Sequence, residues 1–258
     1  MIKNNLRKLY IALILFFLYA PIVTLIVMSF NASKSRAKWG GFTFKWYEEL
    51  FQNKIIITAM VNTLLIAFLS ALFATIIGLI GCLAMKSMSR KTRNASLSIT
   101  NIPMLNAEIV TGIALMLFFI TLNTKFGFTT VLLSHIVFSV PYVILSILPR
   151  VKLLNTSTYE AALDLGASKF YAFRKIVIPD LMPGIVSGYL MAFTMSLDDF
   201  IITHFTKGPG FDTLSTKIYT EVRKGIKPEM YALSTIIFIS VLILLLLVNK
   251  TPKYREDK

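Results

Sequence analysis

Three carboxylates interrupt otherwise apolar stretches of this sequence. Glu108, Asp198 and Asp199 lie in runs that contain no Lys or Arg to pair with them. A charged side chain costs roughly 2.5–3.5 kcal/mol at the centre of a membrane helix, so it is retained where it faces water, a partner charge or a solute. Unpaired negative charges at such positions would act as counter-charges for a cation. Neighbouring residues on a helix point about 100° apart, so one of the adjacent aspartates is expected to cap or pair structurally while the other faces a path.

Aromatic side chains in the same stretches could add cation–π contacts to a cationic solute. Counted along straight helices, Glu108 lies about 14 Å from one membrane face and Asp198 about 26 Å from it. This stagger would suit a long, flexible polycation. The predicted substrate path consists of Glu108, Asp198, Asp199, Tyr142, Tyr189 and Phe193.

Other kinds of chemistry have no signature in this sequence. It contains no GxxxxGK[ST] phosphate loop, no HExxH and no GxSxG motif. The single cysteine, Cys82, and the two histidines form no metal-binding pattern. His135 lies in an apolar run, where we expect it to hydrogen-bond a neighbouring helix rather than relay protons. We therefore predict no catalytic residues, no metal site and no bound cofactor, which leaves a pore, a transporter or a receptor.

The composition places these residues in a membrane. Of 258 residues, 55% are hydrophobic and 16% are charged, and the mean hydropathy is +0.69; soluble domains have about 25% charged residues. A helix needs about 20 mostly apolar residues to cross a bilayer. The sequence therefore predicts an all-α membrane protein, with residues 1–258 as a single domain of six transmembrane helices. The expected spans are 9–30, 56–85, 99–123, 126–149, 181–205 and 230–249.

The basic residues indicate the orientation of these spans. The net charge of +14 would suggest nucleic acid binding in a soluble protein. With both termini in the cytoplasm, however, 16 of the 27 basic residues fall inside and 11 outside. The dense clusters Lys86–Arg93 and Lys250–Lys258 are then both cytoplasmic, as the positive-inside rule requires. We therefore predict cytoplasmic N- and C-termini and no nucleic-acid partner.

The longest predicted cytoplasmic segment, residues 150–180, has its own helix signals. Tyr159–Leu165 favours a helix with Glu160 in its first turn, and Gly166 follows at the position that closes a helix. Ser168 is a suitable N-cap for a second helix, Lys169–Ile178, which Pro179 would end. Two short helices joined by a glycine bend indicate a docking surface or an amphipathic segment at the membrane interface.

The residues of this segment resemble a known motif. Glu160-Ala161-Ala162, Gly166 and Ile176-Val177-Ile178-Pro179 are similar to the EAA loop of permease subunits of ATP-binding-cassette (ABC) importers, with Ile178 in place of the usual Leu. The resemblance extends over most of the chain to permeases of spermidine/putrescine importers. The stretches that carry it are 19–31, 41–47, 193–200 and 207–210.

This resemblance implies a type I importer permease (MetI-like) fold in the inner, or cytoplasmic, membrane, with polyamines as cargo. It implies that the first loop helix docks into a separate ATPase, which would use the ATP and Mg²⁺ of the system. Further implied partners are a homologous second permease forming a heterodimer, a second ATPase copy and an extracytoplasmic substrate-binding protein. The implied coupling residues are Glu160, Ala161, Ala162, Leu165, Gly166, Ala167, Ile176 and Pro179.

Three alternatives remain open at this point. The same machine could carry a phosphonate, thiosulfate or ferric ion, although an anion would favour basic residues in the spans. A passive cation channel or a secondary carrier would leave the EAA-like loop unexplained and would predict uptake that is insensitive to ATP depletion. A membrane receptor or scaffold would predict no transport defect on deletion.

Overall fold

A computed structural model describes residues 2–34, 38–225 and 227–250 of the chain. Within these ranges the regular secondary structure is helical, apart from one antiparallel bridge between Asn31 and Phe42, and loops connect the helices. The elements in chain order are α1 (Ile2–Ser29), α2 (Lys45–Gln52), α3 (Lys54–Ser87), α4 (Arg90–Leu105), α5 (Glu108–Thr121), α6 (Phe128–Leu153), α7 (Thr156–Asp164), α8 (Lys169–Ala172), a π-helical turn (Phe173–Val177), α9 (Ile178–Asp198), α10 (Ile201–Thr206), α11 (Leu214–Lys224) and α12 (Pro228–Lys250).

The all-α membrane architecture is confirmed. Four described helices are long and apolar enough to cross a bilayer, and the pair α4 and α5 makes a fifth if it counts as one broken span. The predicted span 230–249 coincides with α12, whose side chains are described as far as Ile243. The basic residues at 253, 255 and 258, which contributed to the predicted orientation, lie outside the described residues.

The predicted span 99–123 is sharply bent in the structure. Helices α4 and α5 meet at an angle of 103°, because Asn106 and Ala107 adopt extended backbone conformations with ψ of 149° and 137°. Glu108 therefore begins a new helix instead of lying in the middle of a straight one. The assumption of a straight helix, on which the depth of about 14 Å was based, was therefore wrong.

The chain divides into two compact units, each described here by itself. One unit comprises Met1–Ile57 and Ile218–Lys258, and the other comprises Thr58–Lys217. In the first unit, α12 packs against α1 and α2. The connection between α1 and α2 is held by Asn31, whose side chain accepts a hydrogen bond from the Gly40 N–H at 2.7 Å. The indole of buried Trp46 donates to the Asn31 carbonyl at 2.7 Å.

The second unit contains the EAA-like loop, residues 150–180, and the residues of the predicted path. Its core forms where α6 packs on α9, around fully buried Val143, Ile147 and Leu181. Gly184 and Gly188 of α9 allow this close approach, because a Cβ atom at either position would come within 3.1–3.4 Å of α6 atoms. Small residues commonly serve this purpose at helix contacts in membranes.

Candidate functional site

The first helix of the loop, α7, begins earlier than predicted. It runs from Thr156 to Asp164, because the Asn155 side chain caps it by accepting the Ser157 N–H at 2.9 Å. Glu160 is consequently in the second turn of α7, so the prediction that it lies in the first turn, where a carboxylate complements the helix dipole, was wrong. Glu160 is exposed on the helix surface.

The glycine bend is confirmed. Gly166 has φ of +87°, a left-handed conformation that glycine adopts readily. Its N–H donates to the Leu163 carbonyl at 2.9 Å, and the Ala167 N–H donates to the Ala162 carbonyl at 3.0 Å. These two bonds form the Schellman pattern that closes a helix C-terminus. The EAA-like residues and the glycine are therefore parts of one helix–bend unit.

The sequence predicted that the second loop helix ends at Pro179, and this prediction was wrong. Ser168 does cap α8, because its hydroxyl accepts the Tyr171 N–H at 3.3 Å. The chain then widens into the π-helical turn, where the Ile178 N–H donates to the Phe173 carbonyl, and continues into α9 with Pro179 in the first turn. Proline clashes with the carbonyl four residues earlier in a regular helix; the wider π turn relieves this clash. The bend at Gly166 thus connects directly to a membrane-spanning helix.

The loop presents apolar side chains outward. Leu165 is 90% exposed and Phe170 is 74% exposed, and Tyr171 beside them is also exposed. We call these three residues the loop surface. Tyr159 of α7 packs against the core of the second unit, which anchors this helix. Of the remaining predicted coupling residues, the exposed ones are Ala161 and Pro179, and the half-buried ones are Ala162, Ala167 and Ile176.

Two of the predicted path residues, Tyr189 and Phe193, are in contact in the structure. Glu108 is exposed at the start of α5, and Tyr142 of α6 is half-buried. The rings of Tyr189 and Phe193 stack with centroids 6.2 Å apart, and Phe68 of α3 meets Tyr189 edge-on at 6.3 Å. Tyr189 also lines an otherwise apolar cavity of about 400 Å³ between α3 and α9. Neither Glu108 nor Asp198 lines that cavity.

The two adjacent aspartates have different surroundings. Asp198 is exposed at the end of α9, whereas Asp199 is 9% exposed. The Asp199 carboxylate accepts the Ile202 N–H at 3.2 Å and the Thr203 N–H at 2.8 Å, so it holds the first turn of α10. Its Oδ2 also accepts the Thr203 hydroxyl at 2.9 Å. Asp199 is therefore the aspartate that caps, and the place of exposed Asp198 in a path stays a prediction.

His135 connects Asp199 to two further helices. Its Nε2 lies 3.3 Å from Asp199 Oδ2 and 2.9 Å from the Thr203 hydroxyl. Its Nδ1 is 2.6 Å from the hydroxyl of Ser196, which also accepts the Ser70 hydroxyl at 3.1 Å. This polar network, comprising Ser70, His135, Ser196, Asp199 and Thr203, is buried and joins α3, α6, α9 and α10. The expectation that His135 hydrogen-bonds a neighbouring helix is confirmed.

The other members of this polar network could not be predicted from the sequence. Ser70, Ser196 and Thr203 are single small polar residues in apolar runs, and such residues occur throughout the chain. His135 and Asp199 are 64 positions apart, and nothing in the sequence between or around them predicts that they pair. Their contact depends on the close packing of α6 on α9. Buried polar groups in proteins are generally hydrogen-bonded, and these side chains bond to one another.

The segment after α10 is fixed by close backbone contacts. The Thr130 hydroxyl of α6 donates to the Thr206 carbonyl at 2.7 Å. A Cβ atom on Gly208 would lie 2.0 Å from the Phe126 carbonyl oxygen, so only glycine fits there. The Lys207 ammonium pairs with the Asp212 carboxylate. Hydrogen bonds of Asp199 thus hold the start of α10, and the contacts of Thr206, Lys207 and Gly208 hold the segment after it.

Comparison with known proteins identifies relatives over almost the whole chain. Residues 74–250 match the family described as binding-protein-dependent transport system inner membrane component. The chain is 37% identical over 246 residues to the spermidine/putrescine transport system permease protein PotC of Escherichia coli K12, covering 95% of this chain and 93% of that protein. It is also 37% identical over 228 residues to the putrescine transport system permease protein PotI of the same strain, covering 86% and 81%.

A solved structure shares the fold. The crystal structure of a bacterial ABC transporter involved in the import of the acidic polysaccharide alginate aligns with a TM-score of 0.73, covering 95% of this chain and 93% of the other. The two sequences are 21% identical, so this likeness concerns the fold alone.

Proposed function

The chain belongs to the family of inner membrane components of binding-protein-dependent transport systems, and on that premise we propose that it forms part of the path by which an ABC importer carries spermidine or putrescine. The observation that carries this proposal is the match to two polyamine permeases, at 37% identity over 95% and 86% of the chain. The fold does not select the cargo, since an importer of an acidic polysaccharide shares it.

The exposed carboxylates supply the chemistry for a polyamine. Glu108 and Asp198 are both accessible and would act as counter-charges for the ammonium groups. Tyr142 and the stacked pair Tyr189 and Phe193 offer ring faces that attract cations. Asp199 would have a positioning role, because its hydrogen bonds hold α10 beside Asp198.

Energy would reach this path through the loop. The sequence has no phosphate-binding loop, so ATP and Mg²⁺ would be used by a separate ATPase dimer. The loop surface is apolar and exposed, as a docking surface for a protein partner requires. Because α8 runs through the π turn into α9, a push on the loop would act directly on the helix that carries Asp198. A homologous second permease and an extracytoplasmic binding protein would complete the importer.

The orientation follows from the position of the loop. An ATPase is cytoplasmic, so the loop between α6 and α9 would face the cytoplasm. With four spans before the loop and two after it, both termini would then be cytoplasmic. The basic cluster Lys86–Arg93 would lie on the same side.

Competition for uptake tests the cargo. In cells that lack other polyamine importers and express this chain with its partners, we expect uptake of radiolabelled spermidine that unlabelled putrescine inhibits. Phosphonate, thiosulfate and ferric ion are not expected to inhibit it. Uptake of one of those three without uptake of polyamine would refute the proposed cargo while leaving the importer architecture intact.

A pair of leucine variants tests the coupling. Leu165→Ser removes an apolar side chain that is 90% exposed, so the fold should be unaffected while association with the ATPase falls. Leu153→Ser, at the end of α6, is the control because Leu153 is 78% exposed and lies outside the loop surface. Co-purification of the ATPase measures the effect. Equal ATPase recovery with both variants would show that the loop surface is not the docking site.

A further inference from the structure

A second cavity lies at the loop end of the helix bundle, away from the predicted path. It has a volume of about 230 Å³ and is enclosed by the C-terminal ends of α3 and α6 and the first turn of α4. Its lining residues are Met85, Lys86, Arg93, Leu148, Val151 and Lys152. Three of the six are basic and the other three are apolar. The EAA-like motif and the predicted path contribute none of them.

The three basic side chains converge on this cavity from different helices. Lys86 comes from α3, Arg93 from α4 and Lys152 from α6. Among the described residues, no acidic side chain forms an ion pair with any of the three. Lys86 and Lys152 are exposed and Arg93 is half-buried, so their charged groups remain available. Three like charges around one opening repel each other unless an anion lies between them.

The floor of the cavity is apolar. Met85, Leu148 and Val151 are 6%, 7% and 2% exposed and belong to or adjoin the core of the second unit. A ligand that combines an anionic group with an apolar part would match both the rim and the floor. A phosphate ion alone would pair with the basic residues at the rim, Lys86, Arg93 and Lys152, but would leave the apolar floor without a partner.

The position in the fold selects the class of ligand. The cavity lies where two apolar spanning helices end, at Ser87 and Leu153, which is the level of lipid headgroups. The adjoining part of α3 exposes apolar side chains, with Ile76 47% and Ile80 62% exposed, as acyl chains require. Basic pockets between membrane helices bind anionic headgroups in this way. We propose that this cavity is a binding site for the phosphate headgroup of an anionic phospholipid.

Lipid binding to the purified full-length chain tests the proposal directly. The chain in detergent is titrated with phosphatidylglycerol or with zwitterionic phosphatidylcholine, and bound lipid is counted by native mass spectrometry. We expect one phosphatidylglycerol to bind in preference to phosphatidylcholine. A basic residue near anionic lipid contributes about fivefold in affinity, so Arg93→Gln/Lys152→Gln should weaken phosphatidylglycerol binding about 25-fold.

The matched control removes the same charge from the same face. Arg90 and Lys91 lie on α4 and are exposed, but they do not line the cavity. Arg90→Gln/Lys91→Gln should leave phosphatidylglycerol binding unchanged. The charge-preserving pair Arg93→Lys/Lys152→Arg should retain most of the binding, which separates loss of charge from loss of folding. Equal weakening by the control pair would show a diffuse surface effect and would overturn the proposal.

Two further results would assign the cavity to another ligand. If inorganic phosphate at millimolar concentration displaces the bound phosphatidylglycerol, the site recognises a soluble anion and the lipid proposal is overturned. If Arg93→Gln/Lys152→Gln binds phosphatidylglycerol normally but fails to recover the ATPase, the cavity is a protein contact and the proposal is again overturned. Retention of phosphatidylglycerol in the presence of phosphate supports it.

Discussion

Replacing the two adjacent aspartates by asparagine, one at a time, should produce different defects: Asp199→Asn should lower stability, and Asp198→Asn should lower the affinity for spermidine. Asp199 Oδ2 accepts two hydrogen bonds from Thr203, and Oδ1 accepts one from Ile202. Asparagine has one acceptor oxygen, so its NH₂ group would face at least one of these buried donors. Leaving a buried donor unsatisfied costs about 1–3 kcal/mol, and a hydrogen bond to a charged acceptor contributes about 1.5–3 kcal/mol. Because both contributions are affected, we expect Asp199→Asn to lower the free energy of unfolding by at least about 2 kcal/mol.

The neighbouring substitution serves as the matched control. Asp198 is exposed, so Asp198→Asn should leave stability unchanged. It removes one counter-charge, which at about 4 Å from an ammonium group in water amounts to about 1 kcal/mol. That corresponds to a roughly fivefold weaker apparent affinity for spermidine.

Thermal unfolding of the detergent-solubilised chain and uptake of radiolabelled spermidine distinguish the two variants. For a chain of this size about 1 kcal/mol shifts the melting temperature by roughly 2–4 °C, so Asp199→Asn should melt at least about 4 °C lower. Asp198→Asn should melt like the wild type and show a raised half-saturation concentration. An Asp199→Asn variant of wild-type stability that has lost uptake would refute the positioning role, and normal uptake by Asp198→Asn would refute its role as a counter-charge.

The remaining predictions concern the loop, the turn after α10, the polar network and the second carboxylate. Gly166→Ala should cost about 1–2 kcal/mol through its left-handed backbone alone, since no atom lies within 4 Å of the added Cβ; ATP-driven uptake should fall, and unchanged uptake would show that the bend does not matter. Gly208→Ala would place a Cβ 2.0 Å from a carbonyl oxygen, so the yield of folded chain should drop sharply, and a normal yield would contradict the packing. Ser196→Ala should lower the free energy of unfolding by about 1–3 kcal/mol, measured by thermal melting, with an unchanged midpoint as the contrary result. Glu108→Gln should weaken spermidine affinity roughly fivefold in uptake assays, and wild-type affinity would remove it from the path.

Some features of the fold could be predicted from the sequence because they depend on local patterns. Long apolar runs predicted the membrane helices, and Gly166 predicted a left-handed bend because few other residues adopt that conformation. Pro179 was wrongly predicted to end a helix, because the π turn before it accommodates the proline ring. Amino-acid composition does not predict a π turn. The bend after Leu105 was missed because two extended residues without glycine produced it.

The candidate site could be predicted only as far as single residues. The intramembrane carboxylates were recognisable because charge is rare in apolar runs. Which of the two adjacent aspartates has the structural role was not predictable, because that depends on His135 approaching Asp199 from another helix. The cavity lined by Arg93 and Lys152 could not be predicted from the sequence either, because it forms where the ends of three helices meet.

ATP-dependent uptake by a reconstituted importer tests the central claim most directly. The chain is incorporated into liposomes with a second permease and the ATPase, the binding protein is added outside, and entry of radiolabelled spermidine is followed with ATP or a non-hydrolysable analogue inside. We expect uptake only with hydrolysable ATP, and its loss when Leu165→Ser replaces the wild-type chain. Uptake that proceeds equally with the analogue would identify a passive channel or secondary carrier and would contradict the account.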